Sequence, residues 1–204
     1  MYYGGTSVTC YDGFNNFTKT CPTNKLDNTA KSLIDYHTWN TGAPNQRILY
    51  NSTTQSYDTV EFYKAERGTE NGKICTSGDY CNDTVTRTTE WTGYIGLPYA
   101  TDYAYASGES ICETNMVKQD SSDVYICKND NWMFKPKTWY WTLSPHARFS
   151  SSRYVWLVYG VGNVGYNYAA DGAAVYPAIY LKSDILIKSG TGTSSEPYIL
   201  KASA

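Results

Sequence analysis

The chain has 204 residues, and its 17 lysines and arginines against 19 aspartates and glutamates give a formal net charge of -2. The lysines and arginines do not cluster into a basic stripe along the sequence. Nucleic acid is therefore not an expected partner. The length is typical of one domain with a substantial core. The 21 tyrosines and 6 tryptophans would supply much of that core and part of the surface.

The first elements in chain order are helices. Helical spacing of apolar residues predicts a helix over residues 26–39, capped by Asp27 or Asn28, with His37 on its half-buried face. A polar connection follows, and residues 59–67 have the pattern of a short helix that ends at Gly68.

The middle of the chain alternates short elements with polar loops. Residues 91–97 alternate like a strand that Pro98 ends, and a short helix follows with Thr101 as its cap and Gly108 as its stop. Long polar loops precede and follow these elements. Such loops are unusual in a compact domain unless disulfide bonds close them or they have a function.

Cysteines occur in these loops as three local pairs, which indicates disulfide bonds in an exported protein. Other connectivities remain open, but we expect sequential pairing as Cys10–Cys21, Cys75–Cys81 and Cys112–Cys127. The Cys75 and Cys81 spacing would also suit zinc, but no CxxC pair or nearby histidine completes a site, so no metal is expected there. The first residues lack the apolar run of a signal peptide or membrane helix. Membrane attachment is therefore expected only through a missing N-terminal segment.

The clearest hairpin lies near the C-terminus. Residues 154–159 (YVWLVY) are β-branched and aromatic, residues 160–163 supply turn glycines, and residues 164–168 pair back. Alternate side chains of a strand point to opposite faces, so Leu157 and Tyr159 are expected to face outward. A strand buried on both faces, as in a sandwich, is the alternative. On the inner face we expect one core that contains Trp91, Trp141, Trp156 and Val158.

Residues 139–181 combine tyrosine, arginine and histidine with glycine, serine and asparagine, a mixture that recognition surfaces use. This composition predicts a contact surface on the C-terminal strands and loops. The expected ligand-binding residues are His146, Arg148, Phe149, Tyr154, Leu157, Tyr159, Val161, Tyr166, Asn167, Tyr168 and Asp171.

No catalytic activity is expected. Only His37 and His146 could act as bases at neutral pH, and neither has a serine or cysteine beside it in a nucleophile motif. Asp120, Asp123 and Asp130 lie in loop sequence without the context of a glycosidase, which favours solvated charges.

Two segments carry a family resemblance. Residues 96–106 (GLPYATDYAYA) resemble a segment of C-type-lectin-like domains of the formylglycine-generating-enzyme type, and residues 175–181 (VYPAIYL) resemble their closing strand. The resemblance implies an α+β, C-type-lectin-like fold with short helices, small antiparallel sheets and long disulfide-stapled loops over residues 58–204. Residues 1–57 would form an N-terminal helix and connecting segment packed on it. Because every cysteine has a disulfide mate, the copper-dependent oxidation of that enzyme family is not carried over.

Residues 91–93, 141–145, 162–164 and 181–198 further resemble a set of exported Firmicutes proteins in which a prepilin-type N-terminal helix often precedes such a domain. This resemblance implies a monomeric ligand-binding or adhesion domain on a bacterial cell surface. Its partner would be a protein or glycan on another cell, a phage or a host surface. The alternative is a structural pilin-like or cell-wall-associated module whose aromatic face packs against neighbouring subunits.

Two further properties of the fold family bear on the site. Some members are targets of diversity-generating retroelements, which replace asparagine codons by many others. His146, Arg148 and most of the other expected contact residues can arise in that way, whereas Trp156 cannot. C-type lectins also often bind calcium, and residues 129–132 (NDNW) loosely resemble one ligand segment. An Asn/Asp-rich turn is the favoured alternative there, so no cofactor is expected.

Overall fold

The computed structural model describes residues 9–10, 19–20, 28–44, 50–51, 56–68, 89–117, 126–147, 153–193 and 195–202. In this part of the chain, short helices combine with small antiparallel sheets, so the α+β class is confirmed. No described helix has both the length and the apolar character needed to span a bilayer.

The elements are short. The helices are α1 (Asn28–Leu33), α2 (Thr59–Glu66) and α3 (Ala100–Tyr105), with a 3-10 helix at Ser110–Glu113. The strands are β1 (Thr9–Cys10), β2 (Lys19–Thr20), β3 (His37–Asn40), β4 (Tyr50–Asn51), β5 (Ser56–Asp58), β6 (Glu90–Gly93), β7 (Asn115–Val117), β8 (Tyr140–Pro145), β9 (Tyr154–Val158), β10 (Val164–Tyr168), β11 (Ile185–Ser189) and β12 (Ile199–Ala202). They form the sheets β1-β2, β3-β6, β4-β5-β7, β8-β9-β10 and β11-β12.

Two compact units make up the chain. One contains residues 1–38, 92–95 and 179–204, and the other contains residues 39–91 and 96–178. In the first unit, the predicted helix over residues 26–39 is wrong in its second half, because α1 ends at Leu33 and His37 begins β3. Long-range pairing overrides the helical pattern here: Ile34 bridges to Leu181, and the Asp35 N–H donates to the Tyr180 carbonyl. The packing of residues 1–57 on a main domain stays a prediction.

Helices α2 and α3 in the second unit match their predicted positions closely. Asp58 caps α2 by accepting a hydrogen bond from the Glu61 N–H at 2.9 Å. Helix α3 begins at Ala100, one residue before the predicted cap Thr101, and Tyr99 holds the cap position. The predicted strand over residues 91–97 is shorter, because β6 ends at Gly93.

The β9–β10 hairpin is confirmed, and it separates two cores. On one face Trp156 is fully buried, with its ring centroid 5.2 Å from that of Tyr57 and 4.7 Å from that of Phe62. On the other face Trp141 packs with Leu157 and Tyr159. The prediction of a single core with Trp141 and Trp156 together is therefore wrong, and Trp91 is only half-buried.

The pairing of Cys112 with Cys127 is confirmed by a disulfide with a Cα–Cα distance of 5.7 Å. It joins the 3-10 helix to the turn at residues 127–130, and both cysteines are fully buried in the core that contains Trp156. The other two predicted pairs involve Cys21, Cys75 and Cys81, which lie outside the described residues.

Replacing both Cys112 and Cys127 by alanine should lower the free energy of unfolding by about 3 kcal/mol, because the bond closes a loop with a sequence separation of 15 in the unfolded chain. Urea unfolding of the double variant against the oxidised parent measures this difference. A loss below about 1 kcal/mol would mean that the disulfide contributes little to the stability of the second unit.

Candidate ligand-binding surface

One face of the β9–β10 hairpin changes from buried to exposed along its length. Val158 pairs with Val164 next to the turn, Trp156 pairs with Tyr166, and Tyr154 pairs with Tyr168 at the end where the two strands separate. The first pair and Trp156 are buried, whereas Tyr154 is half-buried and Tyr168 is 41% exposed. The same face of the hairpin is therefore part of the core near the turn and reaches solvent at the open end.

The exposed end presents two ordered aromatic rings. Tyr154 and Tyr168 stack with centroids 4.7 Å apart and an interplanar angle of 30°, and the Tyr154 hydroxyl donates to the Tyr168 hydroxyl at 3.0 Å. The guanidinium of Arg153 lies 5.7 Å from the Tyr168 ring centroid, within cation–π range. We call Arg153, Tyr154 and Tyr168 the open-end patch. Sequence reasoning missed Arg153, although its place beside the first residue of a predicted strand was a usable signal.

His146 does not reach the surface, so its expected exposure is wrong. Its ring is fully buried between Trp156 and Tyr166, with centroid distances of 4.7 and 4.2 Å. The cause is backbone pairing directly after β8, where the His146 N–H donates to the Tyr154 carbonyl at 3.1 Å. His146 and Tyr166 support the open-end patch from below, and Tyr166 is half-buried.

Leu157 and Tyr159 were also expected to face outward, and this expectation is wrong. Leu157 has no exposed surface and Tyr159 is 7% exposed. Residues 173–175 run beside β8, where Ala174 exchanges backbone hydrogen bonds with residues 139 and 141, and this brings Ala173 and Val175 over that face. The alternative of a strand buried on both faces is the one that the structure has.

The remaining expected contact residues differ in position. Val161 is exposed at the hairpin turn, Asn167 is half-buried and accepts a hydrogen bond from the Tyr168 N–H, and Asp171 is exposed after β10. Arg148 and Phe149 lie outside the described residues. A contact role for any of these residues stays a prediction.

A second polar constellation, missed at the sequence level, surrounds Glu66. This residue ends α2 and is fully buried. Its carboxylate accepts hydrogen bonds from the N–H groups of Ala100 (3.1 Å) and Thr101 (3.2 Å), from the Thr101 hydroxyl and from the Ser144 hydroxyl (2.7 Å). Arg67 Nη1 lies 2.7 Å from it. Glu66 thus satisfies the first N–H groups of α3 and ties α2 to β8.

Burial raises the pKa of Glu66 to about 7, although Arg67, Ser144 and Thr101 all favour the ionised form. Raised carboxyl pKa values often mark catalytic sites. This carboxylate is enclosed, however, and each of its contacts belongs to the helix end, the strand or the neighbouring arginine. We therefore assign Glu66 a structural role.

The raised pKa of Glu66 has a measurable consequence. Because the native state retains a proton that the unfolded chain releases, stability should fall as the pH rises from about 4.3 to about 7. A Glu66→Gln variant should lack this part of the pH dependence, which amounts to about 3–4 kcal/mol. Urea unfolding of both proteins across this pH range gives the comparison. Parallel profiles would show that Glu66 is already ionised in the native state.

The segment that loosely resembles a calcium ligand set forms a turn. The Asn131 amide donates to the carbonyls of Cys127 (2.7 Å) and Tyr103 (2.8 Å), and its oxygen accepts from the Met133 N–H (2.9 Å). Asp130 adopts a positive φ of 46°. Among the described residues, no group of three or more histidine, cysteine, aspartate or glutamate side chains is arranged to hold a metal ion.

Comparisons of the chain with protein-family models, with curated proteins and with solved structures find no match. Its function is therefore inferred from its own residues.

Proposed function

We propose that this chain is a C-type-lectin-like domain displayed on a bacterial cell surface, where the open-end patch binds a protein or glycan partner. The observation that carries this proposal is the stack of half-buried Tyr154 on exposed Tyr168, with Arg153 beside it. The pair continues directly from the buried residue pairs of the hairpin.

The chemistry of the patch suits recognition. Tyrosine offers a large, rigid, amphipathic surface at a low cost in conformational entropy, and the stack and hydroxyl contact order both rings before a partner arrives. A flat ring face can cover a sugar ring or an apolar side chain. Arg153 adds a planar donor group for a carboxylate or hydroxyl acceptor. Tyrosine and arginine are also the residue types that most often dominate binding energy.

Other observations agree with this class of domain. Short helices, small antiparallel sheets and a disulfide-closed loop are the features that the resemblance implies. The Cys112–Cys127 bond favours an oxidising, extracellular location. Diversification by a retroelement is compatible with the exposed positions Tyr168, Val161 and Asp171. It fits Leu157 poorly, because most replacements there would damage the core.

The proposal is tested by removing the open-end patch without disturbing the fold. The intact chain is screened on a printed glycan array and against a panel of bacterial surface proteins, and positive partners are measured by biolayer interferometry. A Tyr154→Ser/Tyr168→Ser variant should weaken binding at least about tenfold, since a few aromatic groups supply most of an interface's energy. Its melting temperature should stay within a few degrees of the parent.

The matched control is Tyr36→Ser/Tyr105→Ser, which removes two other exposed tyrosines. It should bind as the parent does. Equal weakening in both variants, or full binding by the patch variant, would contradict the assignment of the site.

A second candidate function has its own supporting observation. The two-stranded β11-β12 sheet leaves Leu186, Ile187, Tyr198 and Ile199 about half exposed. This pattern favours a pilin-like or cell-wall-associated module whose apolar residues pack against a neighbouring subunit. Size-exclusion chromatography with light scattering distinguishes the two functions, because a receptor should stay monomeric at concentrations where a packing module self-associates.

A further inference from the structure

The turn of the β9–β10 hairpin, at the end opposite the open-end patch, is fixed against the segment before β8. The Lys137 N–H donates to the Gly160 carbonyl at 2.9 Å, and a Cβ added to Gly160 would lie 2.4 Å from the Thr138 nitrogen. Gly162 has a φ of +100°, and its carbonyl accepts a hydrogen bond from the Tyr103 hydroxyl at 2.9 Å. The turn and the segment therefore form one rigid surface.

This surface exposes large apolar side chains. Trp132 is 75% exposed, Val161 at the turn is 53% exposed and Trp139 is 47% exposed. Trp139 is oriented by an edge contact with Tyr159, with ring centroids 4.9 Å apart. Val161 and Trp139 lie at the turn, and Trp132 lies on the segment between Lys128 and Lys137, both of which contact the turn. Adjacent exposed apolar side chains mark an interaction site.

Three lysines lie on the same segment as Trp132 and Trp139. Lys135 and Lys137 are exposed, and the methylene stem of Lys128 lies where a Cβ on Gly162 would meet it at 2.7 Å. Residues 126–139 contain these three lysines and a single acid, Asp130, in a chain with a net charge of -2. The Asp130 carboxylate lies towards Gly108, where an added Cβ would meet it at 2.5 Å. This part of the chain is therefore locally basic.

We propose that this turn-end surface, formed by Lys128, Trp132, Lys135, Lys137, Trp139 and Val161, binds the headgroup region of an anionic lipid bilayer. Indole rings favour the boundary between headgroups and acyl chains, and lysines lay their stems along apolar surface while their ammonium groups reach lipid phosphates. A soluble polyanion would pair with the lysines but leave Trp132 and Val161 in water. An anionic bilayer would contact both the lysines and the apolar side chains of the surface. The open-end patch at the far end of the hairpin would stay free for its own partner.

Co-sedimentation of the intact chain with vesicles of equimolar phosphatidylcholine and phosphatidylglycerol tests this proposal. We expect binding that weakens with added salt and is absent with pure phosphatidylcholine. Trp132→Ser and Lys135→Gln/Lys137→Gln should each weaken the partition by about tenfold or more. The matched control, Lys64→Gln/Lys182→Gln, makes the same change in net charge and should bind as the parent does.

Several results would overturn the proposal. One is an equal loss of vesicle binding in the control and the test variants, which would mean that binding depends only on the net charge of the protein. Another is unchanged binding after Trp132→Ser, and a third is equal competition by soluble poly-glutamate, which would identify a polyanion partner instead. Thermal melts of every variant ensure that lost binding is not lost folding.

Discussion

Replacing Leu157, Tyr159 and Tyr166 together by serine should lower the melting temperature by more than about 15 °C. Leu157 and Tyr159 are buried against Trp141, and Tyr166 covers one edge of Trp156 with ring centroids 5.8 Å apart. Each large-to-small substitution of this kind costs about 2–5 kcal/mol, so the sum approaches the whole stability of a typical domain. Circular dichroism melts give the comparison.

The control for that variant carries three serines at half-buried Tyr154 and at the exposed positions Val161 and Tyr168. It should melt within a few degrees of the parent, because surface substitutions usually change stability by less than about 0.5 kcal/mol each. A small shift in the first variant would mean that the second face of β9 is not a core.

Replacing Arg67 by methionine should lower the free energy of unfolding by about 3–5 kcal/mol, because it leaves the buried Glu66 carboxylate without its cation. Arg67 also pairs with Asp102, and its guanidinium lies 4.0 Å from the Tyr63 ring centroid and 3.9 Å from that of Tyr99. Methionine keeps much of the stem volume, so the loss reports mainly on the charge and its contacts. Urea unfolding at about pH 8.5 measures it, because Glu66, whose pKa is about 7, is then ionised in the parent protein.

A double-mutant cycle separates the ion pair from the other contacts of Arg67. Adding Glu66→Gln to Arg67→Met should recover part of the loss, since no uncompensated buried charge then remains. Strictly additive effects of the two substitutions would show that Glu66 and Arg67 do not interact in the folded chain.

Local signals in the sequence were sufficient for several elements. The apolar spacing over residues 59–67 and the glycines of the β9–β10 turn are signals that act within a few residues, and both features were predicted in place. The Cys112–Cys127 bond was predicted from spacing alone. In each case the physical cause is short-range in the chain.

The errors arise where distant segments decide the structure. Alternation on β9 shows that Leu157 and Trp156 point to opposite faces, but it cannot show that residues 173–175 cover the second face. Likewise, His37 fits a helical pattern in the sequence, but it lies in a strand because residues near Ile34 pair with residues near Leu181. A strand with one buried face and a strand with two differ only in their neighbours.

The polar network around Glu66 was missed for a related reason. Two adjacent charges in the last turn of a short helix are usually solvated, and nothing local distinguishes Glu66 and Arg67 from that case. Their burial depends on Ser144 and the start of α3, which lie far away in sequence. The same applies to His146, whose ring is enclosed by residues of the following hairpin.

Hydroxyl-radical footprinting of the intact chain, with and without a partner identified on the array, tests most directly where ligand binds. Arg153, Tyr154 and Tyr168 should lose reactivity when the partner is bound, whereas the exposed tyrosines Tyr36 and Tyr105 should keep theirs. Unchanged reactivity at all three residues of the open-end patch, with protection elsewhere on the chain, would contradict the proposed binding site.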